Sequence, residues 1–423
     1  MKKAPSPFVS LMPIIVLVLL LFATIRTFGS DVLSGGSQVS LLTTTAICIL
    51  IGMVFYKIPW KDYELAITNN IAGVATAIII LLIIGALSGI WMISGVVPTL
   101  IYYGMQIIHP SFFLASTCII CALISVMTGS SWTTIATIGI ALMGIGKAQG
   151  FEDGWIAGAI ISGAYFGDKI SPLSETTILA SSITDTPLFR HIRYMMITTV
   201  PSLVITLIIF TVAGFSHDAN NTQHIAEVAT ALNEKFHITP WLLIVPVATG
   251  ILIAKKVPSI VTLFLSTLLA AVFALIFQPD LLEEISGIAA SGFDSLFKGL
   301  MMTIYGETNL HTDNAVLTDL IATRGMSGMM NTIWLILCAM CFGGAMTASG
   351  MVGSITSIFV RFMKKTVSVV SATVCSGLFL NLTTADQYIS IILTGNMFRD
   401  IYAKKGYESC FCLLYTSPSP RDS

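Results

Sequence analysis

The chain has 423 residues, 55% of them hydrophobic and only 10% charged, and carries a net charge of −1. Soluble domains carry about 25% charged residues, so no water-soluble core absorbs this apolar excess, and a mean hydropathy of +0.87 makes lipid the solvent. Lys and Arg cluster at the ends of apolar runs, which excludes a nucleic-acid groove and marks loops flanking membrane spans.

From the N-terminus, Lys2 and Lys3 precede the apolar run Leu11–Ile25. A secretory signal peptide is the competing reading. The run is long enough to span, no small-residue cleavage site follows it cleanly, and it reads as the first transmembrane helix. Further candidates lie near 38–56, 68–88, 90–108, 111–127, 131–147, 154–166, 194–214, 239–255, 258–277, 328–348, 366–382 and 387–398. The expected fold is therefore an all-α polytopic membrane protein with about 10–12 membrane segments, several shorter than a full crossing.

Two cysteine pairs have CxxC spacing, Cys118 with Cys121 and Cys338 with Cys341. Both sit inside apolar runs, where small buried residues are the expectation and a zinc or redox site is not. The polar stretch Ser216–His237 contains His217, His224 and His237 with three acids. It lacks HxxxH or HExxH spacing and reads as a solvated loop with a short amphipathic helix. The stretch Pro279–Arg324 reads as interfacial or re-entrant.

Sliding the sequence on itself by 255 residues places Gly73, Gly89 and Gly95 on Gly328, Gly344 and Gly350, Ser94 on Ser349, and Thr128 on Thr383. Two related repeats are expected, inverted and with broken or re-entrant helices. The organisation expected is 1–65, N-terminal helices; 66–215, first repeat; 216–322, linker loop, two helices and an interfacial segment; 323–410, second repeat, incomplete; and 411–423, FCLLYTSPSPRDS, a tail of non-native character. In that register Asp168 falls opposite position 423, so the second half is expected to be cut short.

Charged residues inside membrane spans cost roughly 2.5–3.5 kcal/mol each on insertion scales and tend to face a cavity and serve a function. GDKISPLSETT, Gly167–Thr177, gathers Asp168, Lys169, Ser171, Ser174, Glu175, Thr176 and Thr177 around Pro172. Proline removes a donor and disfavours helix at Ser171, so the helix is expected to break there and free carbonyl oxygens. Carbonyls, hydroxyls and a carboxylate together suit Na⁺, a hard cation that takes oxygen ligands. Asp168 beside Lys169 also reads as a neutralised pair. In NLTTADQYIS, Asn381–Ser390, Asp386 stands with Thr383, Thr384 and Gln387, either as ion ligands or with Asp386 capping the following helix. TGSSWTT, Thr128–Thr134, has no carboxylate; Ser130, Ser131, Thr133 and Thr134 either line a pathway or bond their own helix.

A carboxylate in a partly desolvated cavity favours its protonated form, and a nearby Na⁺ favours the charged one. Competition of H⁺ and Na⁺ for one group is sufficient for antiport if the cavity opens alternately to each side. No cofactor is called for, and no metal beyond transported Na⁺. The expected partners are monovalent cations and the lipid bilayer, not nucleic acid, and the sequence is compatible with a homo-oligomer.

Gly167–Thr177 followed by Ile178–Ala180 resembles the signature of the NhaC-type Na⁺/H⁺ antiporters, within a wider superfamily of inverted-repeat carriers. TGSSWTTIATIGIALMGIG, RGMSGMMNTIWLILCAMCFGG and TTADQYISIILTGNMF resemble further family segments. The family pattern has Asp at Glu175 and Asn at Ile178, and continues into a Trp-Asn segment beyond residue 423. The resemblance implies a non-enzymatic, multi-pass carrier of a bacterial cell membrane that exchanges Na⁺ for H⁺. Some carriers of the family exchange Na⁺ and protons together with malate and lactate, which is the alternative. An intramembrane aspartyl protease using Asp168 and Asp386 is remote, because Tyr165-Phe166-Gly167-Asp168 lacks the first glycine of GxGD.

Overall fold

The computed structural model of the chain describes residues 5–183, 186–216, 222–255, 257–288, 290–308, 310, 318, 321–355, 366–384, 390, 391, 394, 395, 398 and 402. Among these residues the regular structure is helical throughout. The principal helices are α1 (Pro7–Phe28), α2 (Gly36–Tyr56), α3 (Trp60–Ile93), α4 (Val96–Ile107), α5 (Phe113–Thr128), α6 (Ser131–Thr134), α7 (Ile140–Ala148), α8 (Asp153–Ile170), α9 (Glu175–Ile183) and α10 (Leu188–Ser216). They continue with α11 (Thr222–Lys235), α12 (Ile244–Ala254), α13 (Ser259–Phe277), α14 (Pro279–Ser286), α15 (Phe293–Tyr305), α16 (Met330–Ala348) and α17 (Thr366–Thr384).

Among the described residues, seven helical segments are long and apolar enough to cross a membrane, and the pair Ala229–Lys235 and Pro240–Ala254, bent by 95°, is apolar enough only when its two parts are taken together. Their outward faces carry Phe22, Phe55, Val204 and Ile208, all exposed, as lipid-facing side chains must be. The protein is a multi-pass membrane protein. The remaining expected segments fall on α4, α6 with α7, α8 and α17, except 387–398, most of which lies outside the described residues.

Apolar run length predicts separate spans at 68–88 and 90–108. The chain instead forms one helix of 34 residues, α3, and breaks only at Gly95, whose φ of 85° is left-handed. Gly89 does not break the helix. Its missing side chain lets α3 lie against the carbonyl of Thr303 on α15, the close approach that small residues permit between helices in lipid.

The chain divides into two compact units, Met1–Ile78 with Thr176–Tyr194 and Met330–Ser423, and Ile79–Glu175 with Met195–Met329. In the first, α2 packs on α16 around Cys48, Tyr63, Phe342 and Met346. Gly344 of α16 meets the backbone of Ile67 on α3. In the second, α5 and α8 form the most extensive pairing, with Gly163 and Gly167 of α8 seated on the carbonyls of Cys118 and Ala122. Spaced four residues apart on both helices, these small positions form one face on each. Trp91 donates to Ser266 at 3.1 Å, and Ser266 bonds Thr249 at 2.7 Å, joining α3, α13 and α12 by a buried chain.

Two helix ends 255 residues apart are built alike. Ser94 N–H donates to Ile90 O at 2.8 Å and Gly95 N–H to Met92 O at 3.1 Å. Ser349 N–H donates to Ala345 O at 3.0 Å and Gly350 N–H to Thr347 O at 3.0 Å, with Gly350 at φ 69°.

The polar stretch after α10 contains the short amphipathic α11, as expected, and Lys235 at its end pairs with Glu284 of α14 at 2.8 Å. The tail 411–423 lies outside the described residues.

Candidate functional site

The site forms where two helices break side by side in the second unit. α5 stops at Thr128 because Gly129 turns left-handed, at φ 68°, and its N–H closes back on Ser125 O at 2.8 Å. Ser130 is then extended and caps α6, its Oγ accepting from Thr133 N–H at 3.2 Å. α6 runs into a π-helical turn, Ile135–Gly139, before α7. Such turns widen a helix and recur at functional sites.

α8 stops at Ile170, Ser171 is extended at φ −74° and ψ 130°, and α9 starts at Glu175. This is the break that Pro172 dictates by forbidding helix at the residue before it. Gly129 lies on the backbone of Leu173, 2.7 Å from where a Cβ would stand. The hydroxyl of Ser171 donates to Val126 O at 2.8 Å and accepts from Leu173 N–H at 3.2 Å. The hydroxyl of Ser125 donates to Ala164 O. The two breaks are thus clasped together over the length of their last turns.

Across that junction Ser131 donates its hydroxyl to Oδ2 of Asp168 at 3.1 Å. Ser131 is buried and Asp168 half-buried. Tyr165, three residues before Asp168 on the same face of α8, brings its hydroxyl to Ser131 as well. Thr134 is buried, donates to Ser130 O at 3.0 Å and stands 3.4 Å from the hydroxyl of Thr128. Thr133 bonds Ser130 Oγ at 3.1 Å and Ser259 Oγ, at the start of α13, at 2.9 Å. At this junction the Asp168 carboxylate meets the Ser131 hydroxyl, oxygen donors of the kind a small hard cation or a proton takes.

The TGSSWTT hydroxyls bond both within their own helix and across to other helices. Thr134 bonds its own helix, while Ser131 and Thr133 reach across to Asp168 and Ser259. Lys169 and Pro172 are half-buried, and Ser174 is buried beside the break. Thr177 is buried and Thr176 half-buried, in the part of α9 that belongs to the first unit. Glu175 opens α9, and its side chain is outside the described residues, as are those of Thr383 and Thr384 at the end of α17. Asp386 and Gln387 lie outside the described residues altogether. Tyr165 and Ser259 are the members sequence reasoning missed. Tyr165 was within reach, since a hydroxyl three residues before a membrane carboxylate shares its helical face; Ser259, 126 residues from Thr133, was not.

A multi-pass helical protein in which two broken helices set a half-buried carboxylate among hydroxyls has the architecture of a secondary carrier. The sequence model of the Na⁺/H⁺ antiporter family matches residues 163–416, a stretch that begins on α8 just before Asp168. The chain is 35% identical over 372 residues to the Na⁺/H⁺ antiporter NhaC of Bacillus subtilis, covering 88% of this chain and 79% of that one. It is 36% identical over 361 residues to the NhaC antiporter of Alkalihalophilus pseudofirmus, covering 85% and 75%. The malate-2H⁺/Na⁺-lactate antiporter of B. subtilis is 36% identical over 367 residues, covering 86% and 75%. The chain belongs to the Na⁺/H⁺ antiporter family.

Proposed function

We propose that the protein exchanges Na⁺ for H⁺ across the cell membrane by alternating access, as a transporter and not an enzyme, with Asp168 as the group the two cations share. The observation that carries this reading is the bond from Ser131 to Asp168 at the junction of two broken helices. When Asp168 is ionised, its carboxylate with the oxygens of Ser131 and its neighbours offers Na⁺ a partly dehydrated, oxygen-lined seat. When Asp168 is protonated, the positive ion loses its counter-charge and leaves. One carboxylate holds one cation or the other, so opening the site to each side in turn couples their opposite movements. Na⁺ and H⁺ are the cargo, and no cofactor enters the cycle. The matched helix ends at Gly95 and Gly350 support two related repeats, in which Asp386 stands in register with Ser131.

A second reading is coupling to an organic anion. It is favoured by the 36% identity to the malate-2H⁺/Na⁺-lactate antiporter and by Lys169, a cation directly beside Asp168 in sequence. Proteoliposomes with an acidic interior and a trapped pH dye separate the two. Na⁺/H⁺ exchange predicts dequenching with NaCl alone, and Lys169→Ala merely shifts its pH profile. Dequenching only when malate or lactate is supplied, and lost in Lys169→Ala, would overturn the first reading in favour of the second.

A further inference from the structure

In the first unit, the thiol of Cys48 on α2 lies 3.7 Å from the thioether sulfur of Met346 and 3.7 Å from that of Met351. All three residues are fully buried. The two methionines sit on either side of the left-handed break at Gly350, which turns both toward the same cysteine. Ser349 places its hydroxyl 3.7 Å from the same sulfur. Tyr63, also fully buried, packs its hydroxyl against Gly52, one turn along α2 from Cys48, and that oxygen has no hydrogen-bond partner among the described residues.

The break does not itself require sulfur. At the like-built end of α3 the corresponding positions are Trp91 and Val96. Three sulfurs arranged around an ion at bond lengths of about 2.3 Å stand about 4.0 Å apart, close to the two separations of 3.7 Å between Cys48 and its methionines. Soft thiolate and thioether donors select Cu⁺ and its heavier analogue over hard cations such as Na⁺. Charge points the same way. One thiolate with one monovalent ion is neutral, whereas a divalent ion would leave an unpaired charge at a buried position.

We propose that Cys48, Met346 and Met351 form a binding site for a soft monovalent cation, Cu⁺ or Ag⁺, separate from the exchange site. Binding is a substitution without redox change: the Cys48 S–H bond breaks and its proton passes to solvent, the ion leaves its previous ligands as a sulfur–metal bond forms, and the two thioethers complete a trigonal set. It ties α2 to both sides of the Gly350 break.

The test is anaerobic titration of the purified full chain in detergent with Cu⁺, using bicinchoninate as competitor. The protein used carries Cys48 alone, with Cys118, Cys121, Cys338, Cys341, Cys375, Cys410 and Cys412 changed to Ala. The expected result is one equivalent of Cu⁺ held against the competitor. Affinity should fall at least 100-fold in Cys48→Ala and in the volume-conserving pair Met346→Leu with Met351→Leu. If the single-cysteine protein does not fold, the methionine pair is made in the native chain, and the expected result is one equivalent of Ag⁺ fewer than wild type. Failure of the folded protein to hold Cu⁺, or binding undiminished by the methionine changes, overturns the proposal.

Discussion

Ser131, the first residue of α6, donates its hydroxyl to Asp168, in the last turn of α8, at 3.1 Å. The two residues are 37 apart in sequence and meet because each follows or precedes a break in its own helix.

Removing that hydroxyl leaves the break intact and deletes one oxygen from the cation's seat. Hydrogen bonds to charged groups contribute about 1.5–3 kcal/mol, and about 1.4 kcal/mol is tenfold in affinity. Ser131→Ala is therefore expected to raise KM for Na⁺ about tenfold with a smaller effect on kcat, and Ser131→Thr to restore most of the loss. Initial rates of Na⁺-driven pH change in proteoliposomes, over a series of Na⁺ concentrations, check this. An unchanged KM in Ser131→Ala would remove the hydroxyl from the site.

Two left-handed glycines separate backbone strain from crowding. Placing a side chain in the left-handed region costs about 1–2 kcal/mol by itself. At Gly350 the nearest atom to an added Cβ is 3.7 Å away, in ordinary contact, so Gly350→Ala should cost little beyond that. At Gly129 the Leu173 backbone stands 2.7 Å away and cannot yield without moving the other break. Thermal unfolding in detergent should show a larger drop in Tm for Gly129→Ala than for Gly350→Ala. Equal drops would mean that the two breaks are not in hard contact.

Polar contacts at the edge of the second unit should differ as sharply. Gln278 is 4% exposed and bridges both backbone groups of His237, accepting its N–H at 3.1 Å and donating to its carbonyl at 3.2 Å. Gln278→Ala strands both groups and should cost about 1–3 kcal/mol. The Lys235–Glu284 pair has one half-exposed partner, and such pairs contribute about 0–1 kcal/mol. Lys235→Met should therefore change Tm little, and less still at high salt. A larger effect for Lys235→Met than for Gln278→Ala would reverse this ranking.

The parts of this architecture legible in sequence are those set by local chemistry or by the lipid. Apolar run length marked the spans, and Pro172 marked the break at Ser171 because its effect on the preceding residue is steric and local. Ser94-Gly95 and Ser349-Gly350 share one register in the sequence, but that each pair ends a helix is visible only in the folded backbone. The error at 68–108, where one long helix and a short one replace two spans, came from placing a boundary beside Gly89. A helical glycine is also what permits contact with a neighbour such as Thr303, and periodicity does not reveal neighbours. Tyr165 beside Ser131 and Thr133 bonded to Ser259 depend on how α5, α8 and α13 pack, and lipid makes every apolar face equally acceptable until small residues select one.

Whether Asp168 is the group Na⁺ and H⁺ share is decided by Asp168→Asn in the purified full chain reconstituted into proteoliposomes. The substitution keeps size and an oxygen acceptor for Ser131 while removing the charge and the exchangeable proton. The expected result is a folded, reconstituted protein with no Na⁺-driven pH change at any pH tested. Exchange at the wild-type rate in Asp168→Asn would contradict it.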